Sequence, residues 1–255
     1  MRITVCETPH EYSAAEKSWT DLCLHCRDEG TDLLVLPEFA FLAPVWESEE
    51  FDQQRWLEFE REAATWLARL PELKCSFVIG SVPTTVAGKR LNQGFLWSDS
   101  DGLAPLRSKR HLPNEPGGWE ARWFAKGSAD YPAYAAGPFR FGLNICTELW
   151  ALETLGAYAK ADVHAVVTPR ATAAATTERW VGLAKTVAVR AGVFSLSSNR
   201  RHQDGSCGGI GWIIDPEGAE LARTSASAPA VTLDIELADS ANAKFRYPRY
   251  VFADA

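Results

Sequence analysis

The sequence predicts an α/β fold: two mixed sheets packed face to face, with helices on their outer faces. Three observations carry this. Apolar strand runs alternate with amphipathic helical stretches through most of the chain. Hairpin signals, built on Asp-Gly and Pro-x-Gly turns, interrupt that alternation twice. No linker, low-complexity segment or short-period repeat divides the 255 residues, so residues 1–255 are expected to form one domain.

The elements follow in order. Ile3–Cys6 alternates as a strand. Residues 13–29 place Trp19, Leu22, Cys23 and Cys26 at helical spacing and stop at Gly30, a suitable C-cap. Asp32 to Pro37 is an apolar run of buried-strand type, ended by proline. Residues 51–70 form a second helix with Trp56, Phe59, Ala63, Trp66 and Leu67 on one face. Strand 75–82 follows, then a hairpin of 90–98 with 104–108. Residues 109–130 are rich in Pro, Gly and Trp, with helical turns expected over Trp119–Phe124. A strand pair ends at Cys146. Next come a helix (149–160), a strand (162–168), a helix (176–191) and a strand (193–198). A hairpin of Cys207–Ile214 with Glu220–Arg223 and a last strand, 230–236, complete the pattern. The aromatic tail 238–255 is expected to pack on a partner subunit.

Composition narrows the function classes. A net charge of −7 with no Lys/Arg run argues against nucleic acid as a partner. No window approaches the apolar length of a membrane span, so no membrane partner is expected. The N-terminus enters a strand pattern at once, without a signal-peptide pattern, which points to a cytoplasmic protein. Six scattered cysteines do not make a disulfide framework. The Cys23/Cys26 pair lies within a helical pattern and reads as helix packing rather than a metal or redox site.

The chemistry gathers around Phe141–Trp150, FGLNICTELW, where an apolar strand meets a sharp turn at Cys146. Such a turn exposes the sulfur beside backbone N–H groups that favour a thiolate and an oxyanion. Glu38 directly follows the strand Leu33–Leu36, Lys109 follows the strand Ala104–Ser108, and Glu120 lies eleven residues further on. Each could be an ordinary surface charge. Together they place a base, a cation and a thiol at strand ends, where layered α/β folds build active sites.

LLVLPEFAF, SKRHLP and GLNICTELW resemble the glutamate, lysine and cysteine motifs of the carbon–nitrogen hydrolase (nitrilase) superfamily. TERWVGLAKTVAVRA and GGIGWIIDPEGAEL are similar to its later helix and hairpin. WEARWFAKG resembles the second-glutamate segment of the D-carbamoylase-type amidases. The resemblance implies a four-layer α-β-β-α sandwich, a Glu38–Lys109–Cys146 triad supported by Glu120, no metal or organic cofactor, and a homodimer or larger homo-oligomer. It implies cleavage of a small amide or N-carbamoyl compound through a cysteine thioester, with Lys109 and the Thr147 N–H holding the oxyanion. A nitrilase acting on a small nitrile, and a non-catalytic binding or regulatory protein, are the alternatives. The chain departs from the family pattern at Gly192-Val193 and Gly211, and lacks arginines after Cys146. For the substrate, Arg170 at a strand end is a candidate to fork onto a carboxylate, or else a partner for Glu148 or Glu178. Trp119 and Trp123, with Trp46, Phe124 and Trp150, are candidates for an aromatic-lined pocket or for packing.

Overall fold

The computed structural model describes residues 1–252. Its strands are β1 (Arg2–Pro9), β2 (Leu33–Glu38), β3 (Phe77–Val86), β4 (Lys89–Ser98), β5 (Gly102–Ser108), β6 (Ala133–Ala136), β7 (Phe139–Leu143), β8 (Ala165–Arg170), β9 (Phe194–Arg201), β10 (Trp212–Ile214), β11 (Glu220–Arg223) and β12 (Ala230–Asp234). Its helices are α1 (Ala15–Glu29), α2 (Gln53–Ala68), α3 (Glu120–Trp123), α4 (Thr154–Lys160), α5 (Thr177–Ala191) and α6 (Leu237–Ala243).

Hydrogen bonding joins the strands into one mixed path, β5-β4-β3-β2-β1-β9-β8-β7-β6, with β12 on β1 and the β10–β11 hairpin on β9. The path folds into two leaves because β1 changes partners along its length. Ile3–Val5 pair with β2, whereas Glu7–Pro9 pair with β9. Three apolar layers result. Ile3, Val5, Val35 and Ile79 from one leaf pack against Phe141, Val167 and Leu196 from the other. Trp19, Trp56, Phe59 and Trp66 of α1 and α2 cover the outer face of the first leaf. Trp180, Val181, Ala184 and Val187 of α5 cover the second. The four-layer α-β-β-α order follows directly from the period-2 strands and the amphipathic helices.

Local signals set the boundaries. Gly30 caps α1 with φ 61°, and the Asp52 side chain caps α2 by accepting from Arg55 N at 2.8 Å. Two expectations are corrected. The single helix over 149–160 is instead a 3-10 turn, Cys146–Trp150, followed after a break by α4. Glu148 O accepts from Ala151 N and from Asn144 Nδ2, both at 3.0 Å, which holds the tight turn and prevents an α-helix from running on. The strand expected over Cys207–Ile214 begins only at Trp212. Before it, Gly208 and Gly209 donate to Thr172 O and Arg200 O, and Ile210 takes φ 63°.

In the tail, α6 is followed by a 3-10 turn, Arg249–Phe252. Arg249 is buried and anchored to Val189 O and Pro216 O, while Phe245, Tyr247 and Tyr250 are exposed. The last three residues of the tail, 253–255, lie outside the described residues. No helix among the described residues is long and apolar enough to cross a membrane.

Candidate active site

Four chain segments converge at one end of the two leaves. Glu38 is the last residue of β2, and the chain turns immediately after it, with Phe39 and Phe41 both at positive φ (49° and 64°). Lys109 directly follows β5 and is tied down at both backbone groups: its N–H donates to Asn92 O (2.8 Å) and its carbonyl accepts from Gly127 N (2.9 Å). That approach requires glycine, since a Cβ at Gly127 would lie 2.1 Å from Ser108 O. Glu120 opens the single turn α3. Cys146 opens the 3-10 turn after β7 and holds φ 51°, a conformation costly for a side-chain-bearing residue.

The side chains form a closed ionic chain. Lys109 Nζ donates to Glu38 Oε1 at 2.8 Å and to Glu120 Oε1 at 2.7 Å, so one cation serves two carboxylates. Asn92 Nδ2 also donates to Glu38 Oε1, at 2.7 Å. Lys109 is fully buried, and Glu38, Cys146 and Glu120 are no more than 6 % exposed. In such surroundings charges interact far more strongly than in water.

Burial opposes the charge on Lys109, but the carboxylates of Glu120 and Glu38 outweigh it and hold the ammonium well above the ordinary lysine range. Burial, offset by Lys109 and reinforced by Glu38, pushes the Glu120 carboxyl up to about 7. Burial and then the Glu38 charge push the Cys146 thiol up, with Lys109 pulling the other way. Cys146 therefore rests as a thiol and needs a base beside it. The charges of Glu38, Lys109 and Glu120 all act on its sulfur.

Other groups hold this arrangement and were not singled out from sequence. Glu148 is fully buried, and its carboxylate accepts from Ile145 N (2.9 Å), Arg110 N (2.7 Å) and both Nη atoms of Arg107. One carboxylate thus ties the turn bearing Cys146 to the residues flanking Lys109. The available signal was a Glu two residues after the candidate cysteine, with arginines on both sides of the candidate lysine. Asn92 lies in mid-β4 with its side chain buried, and only a polar residue in a strand pattern hinted at it.

The substrate-binding candidates separate. Arg170 is fully buried, and its donors go to Ser197 Oγ (2.7 Å), Thr172 Oγ1 (2.7 Å) and Ile210 O, with its guanidinium over Trp212 at 3.9 Å. Each of its three nitrogens thus donates to a protein oxygen, which anchors the 208–211 segment through Ile210 O. Glu148 and Glu178 pair instead with Arg107 and Arg223. Trp123 is fully buried, its Nε1 donates to Ser48 O (2.7 Å), and Phe51 meets its ring edge-on. Phe124 stacks on Phe39 and Trp46 packs tilted against it, within the same apolar layer. Trp119 and Thr147 are half-buried, and Trp150 is exposed against Trp180. Thr147 is the first residue beyond Cys146 in the 3-10 turn, where N–H groups lack intrahelical acceptors. Among the described residues, no group of three or more His, Cys, Asp or Glu side chains is placed to hold a metal ion.

The fold has close structural relatives. A carbon–nitrogen hydrolase from Helicobacter pylori G27 superposes with a TM-score of 0.85 at 16% identity, over 98% of this chain and 94% of that one. XC1258 from Xanthomonas campestris, a CN-hydrolase superfamily protein with an arsenic adduct in its active site, gives 0.79 at 18% identity, covering 100% and 97%. A mutant amidase from Nesterenkonia sp. AN1, with the acetamide moiety of fluoroacetamide added covalently at its active-site cysteine, gives 0.78 at 18% identity, covering 100% and 97%. No curated protein matches the sequence. The carbon-nitrogen hydrolase family matches residues 5–245, nearly the whole chain, and the protein belongs to that family.

Proposed function

We propose that this chain is an amidase-type hydrolase that cleaves a small amide or N-carbamoyl compound through a Cys146 thioester. The observation that carries the reading is Lys109 Nζ held between Glu38 and Glu120, buried beside the Cys146 thiol. Both bonds to the Glu38 carboxylate fall on Oε1, which leaves Oε2 to take the thiol proton as sulfur attacks the carbonyl carbon. The tetrahedral oxyanion is held by the Lys109 ammonium and the Thr147 N–H, each such donor being worth about 3 kcal/mol. Collapse breaks the C–N bond, and Glu38 passes its proton to the departing amine. Glu38 then takes a proton from water, the hydroxide cleaves the thioester, and the proton returns to the Cys146 thiolate as the acid leaves. Glu120 orients Lys109 throughout. These steps use only protein groups and water.

The cysteine of the Nesterenkonia amidase mutant takes the acetamide moiety of fluoroacetamide covalently, which supports a nucleophilic cysteine at a site of this kind. We read residues 1–255 as one catalytic domain. Exposed Phe245, Tyr247 and Tyr250 support a tail that packs on a second subunit of a homo-oligomer. Assaying one compound as both amide and nitrile tests the reaction, with intact-mass detection of the Cys146 acyl adduct. Hydrolysis of the amide with an adduct at Cys146 is expected. Turnover of the nitrile alone makes the chain a nitrilase, and no adduct from a broad amide panel makes it a binding protein of this fold.

A further inference from the structure

The turn that aims Glu38 is gripped from the opposite leaf. Arg200 lies near the end of β9, paired with Thr8 of β1 where the two leaves join, and is fully buried. Its guanidinium is bonded to carbonyls rather than to a carboxylate: Nη1 donates to Phe39 O, while Nη2 donates to Leu42 O (2.6 Å) and His10 O (3.1 Å). Phe39 and Leu42 are the two ends of the turn that follows Glu38, closed by Leu42 N donating to Phe39 O at 3.2 Å. Two of its residues, Phe39 and Phe41, hold positive φ. Non-glycine residues keep such a conformation only where their surroundings over-determine it. Trp46, 5.5 Å from the guanidinium, also packs tilted against Phe39, so the same cation lies over a ring that contacts the residue after Glu38.

We infer that Arg200 is a positioning residue: it holds the strained Phe39–Leu42 turn and thereby fixes the Glu38 carboxylate against the Cys146 thiol. The inference rests on the reading of Glu38 as the base. Burial lowers the Arg200 guanidinium to about 10, with Cys207 and Glu38 among the groups that favour its charge, so it stays protonated at neutral pH. A cation with three fixed acceptors is a rigid clamp, because the planar fork leaves little freedom once its bonds are made.

The test reads Cys146 directly, without a substrate. Alkylation by iodoacetamide is followed at each cysteine by peptide mass spectrometry, with half-buried Cys23 as the internal reference. Glu38→Gln should slow alkylation at Cys146, because the thiol, held neutral chiefly by burial, then lacks the carboxylate that takes its proton. An unchanged rate there overturns the base assignment, and this inference with it. Arg200→Ala should slow Cys146 by about 100-fold, the effect of misplacing a catalytic group by roughly 1 Å. Guanidinium at a non-denaturing concentration should restore at least part of that rate. Arg200→Lys keeps the charge but cannot reach all three carbonyls, and should be slowed at Cys146 with an unchanged rate at Cys23. If Arg200→Ala does not fold, this variant decides. A normal Cys146 rate in a folded Arg200 variant, or faster alkylation at both cysteines, overturns the inference in favour of a purely structural role.

Discussion

The Glu148 carboxylate is forked by the Arg107 guanidinium, with Nη2 2.9 Å from Oε1 and Nη1 on Oε2, and both side chains are almost wholly removed from solvent. The pair spans from the end of β5 to the turn after β7, and Arg107 Nη1 also reaches Leu143 O at 3.5 Å. Removing one member of a buried pair leaves the other charge unpaired, at a cost of about 3–5 kcal/mol. Glu148→Ala should therefore lose stability of that order in denaturant titration, and amide hydrolysis should fall with it, since the Ile145 and Arg110 N–H groups lose their acceptor. Replacing both partners by apolar residues, as in Arg107→Met with Glu148→Leu, should recover much of the stability but not the activity. A loss below about 1 kcal/mol for Glu148→Ala means that the pair does not hold the turn.

In the proposed mechanism the nucleophile, Cys146, also carries backbone strain. Cys146→Ala should abolish hydrolysis while leaving the melting temperature close to wild type, because little volume is lost. Cys146→Gly should be equally inactive yet more stable than the alanine variant by about 1 kcal/mol, since glycine accepts φ 51° without a Cβ penalty. Thermal melts of the two variants side by side check this. An alanine variant as stable as the glycine variant, or more so, removes strain from the account of this turn.

The layers were legible because their causes are local: period-2 strands, helical stripes such as Trp56, Phe59, Ala63 and Trp66, and a glycine at position 30. Glu38, Lys109 and Cys146 were legible as candidates because each interrupts or ends an apolar strand run with a reactive group. Glu148, Arg107 and Asn92 were not, because their value lies in contacts 38 to 54 residues away that no local pattern encodes. The internal bonds of Arg170 and Trp123 were hidden for a related reason. Residue type and strand-end position describe what a side chain could offer a ligand, not which protein atoms have already taken its donors. The break after Trp150 was hidden because a 3-10 turn and the first turn of an α-helix share their apolar spacing.

Asn92 is the third point at which the arrangement can be probed. Its amide and Lys109 both donate to Glu38 Oε1, which orients the other oxygen. Asn92→Ala should lower kcat by about 10-fold with a smaller change in KM, the signature of lost orientation rather than lost binding. Asn92→Asp should be more damaging near neutral pH, because a second carboxylate would then face Glu38 at hydrogen-bond distance. Steady-state kinetics on one amide substrate settle the order. An aspartate variant more active than the alanine variant contradicts this account of Glu38.

Glu120 offers a pH-dependent signature that needs no substrate. Its folded carboxyl is raised from 4.5 to about 7, chiefly by burial and against the pull of Lys109, so the folded protein binds a proton more tightly there than the unfolded chain does. The sign follows from linkage: the stability contributed by that proton is fully present below about 4.5 and is lost as pH rises through about 7. Glu120→Gln carries a neutral amide at every pH and lacks this slope, although it can still accept from Lys109. The stability of wild type relative to Glu120→Gln should therefore fall as pH rises from about 4.5 to 7, by about 3 kcal/mol at most, and level off above. Activity should follow the opposite course in wild type, rising as Glu120 ionises and orients the Lys109 ammonium for the oxyanion. Denaturant titrations of the two proteins at a series of pH values give the slope. A difference that is flat, or that rises with pH, means that Glu120 is already ionised throughout this range and that Lys109, rather than burial, governs it.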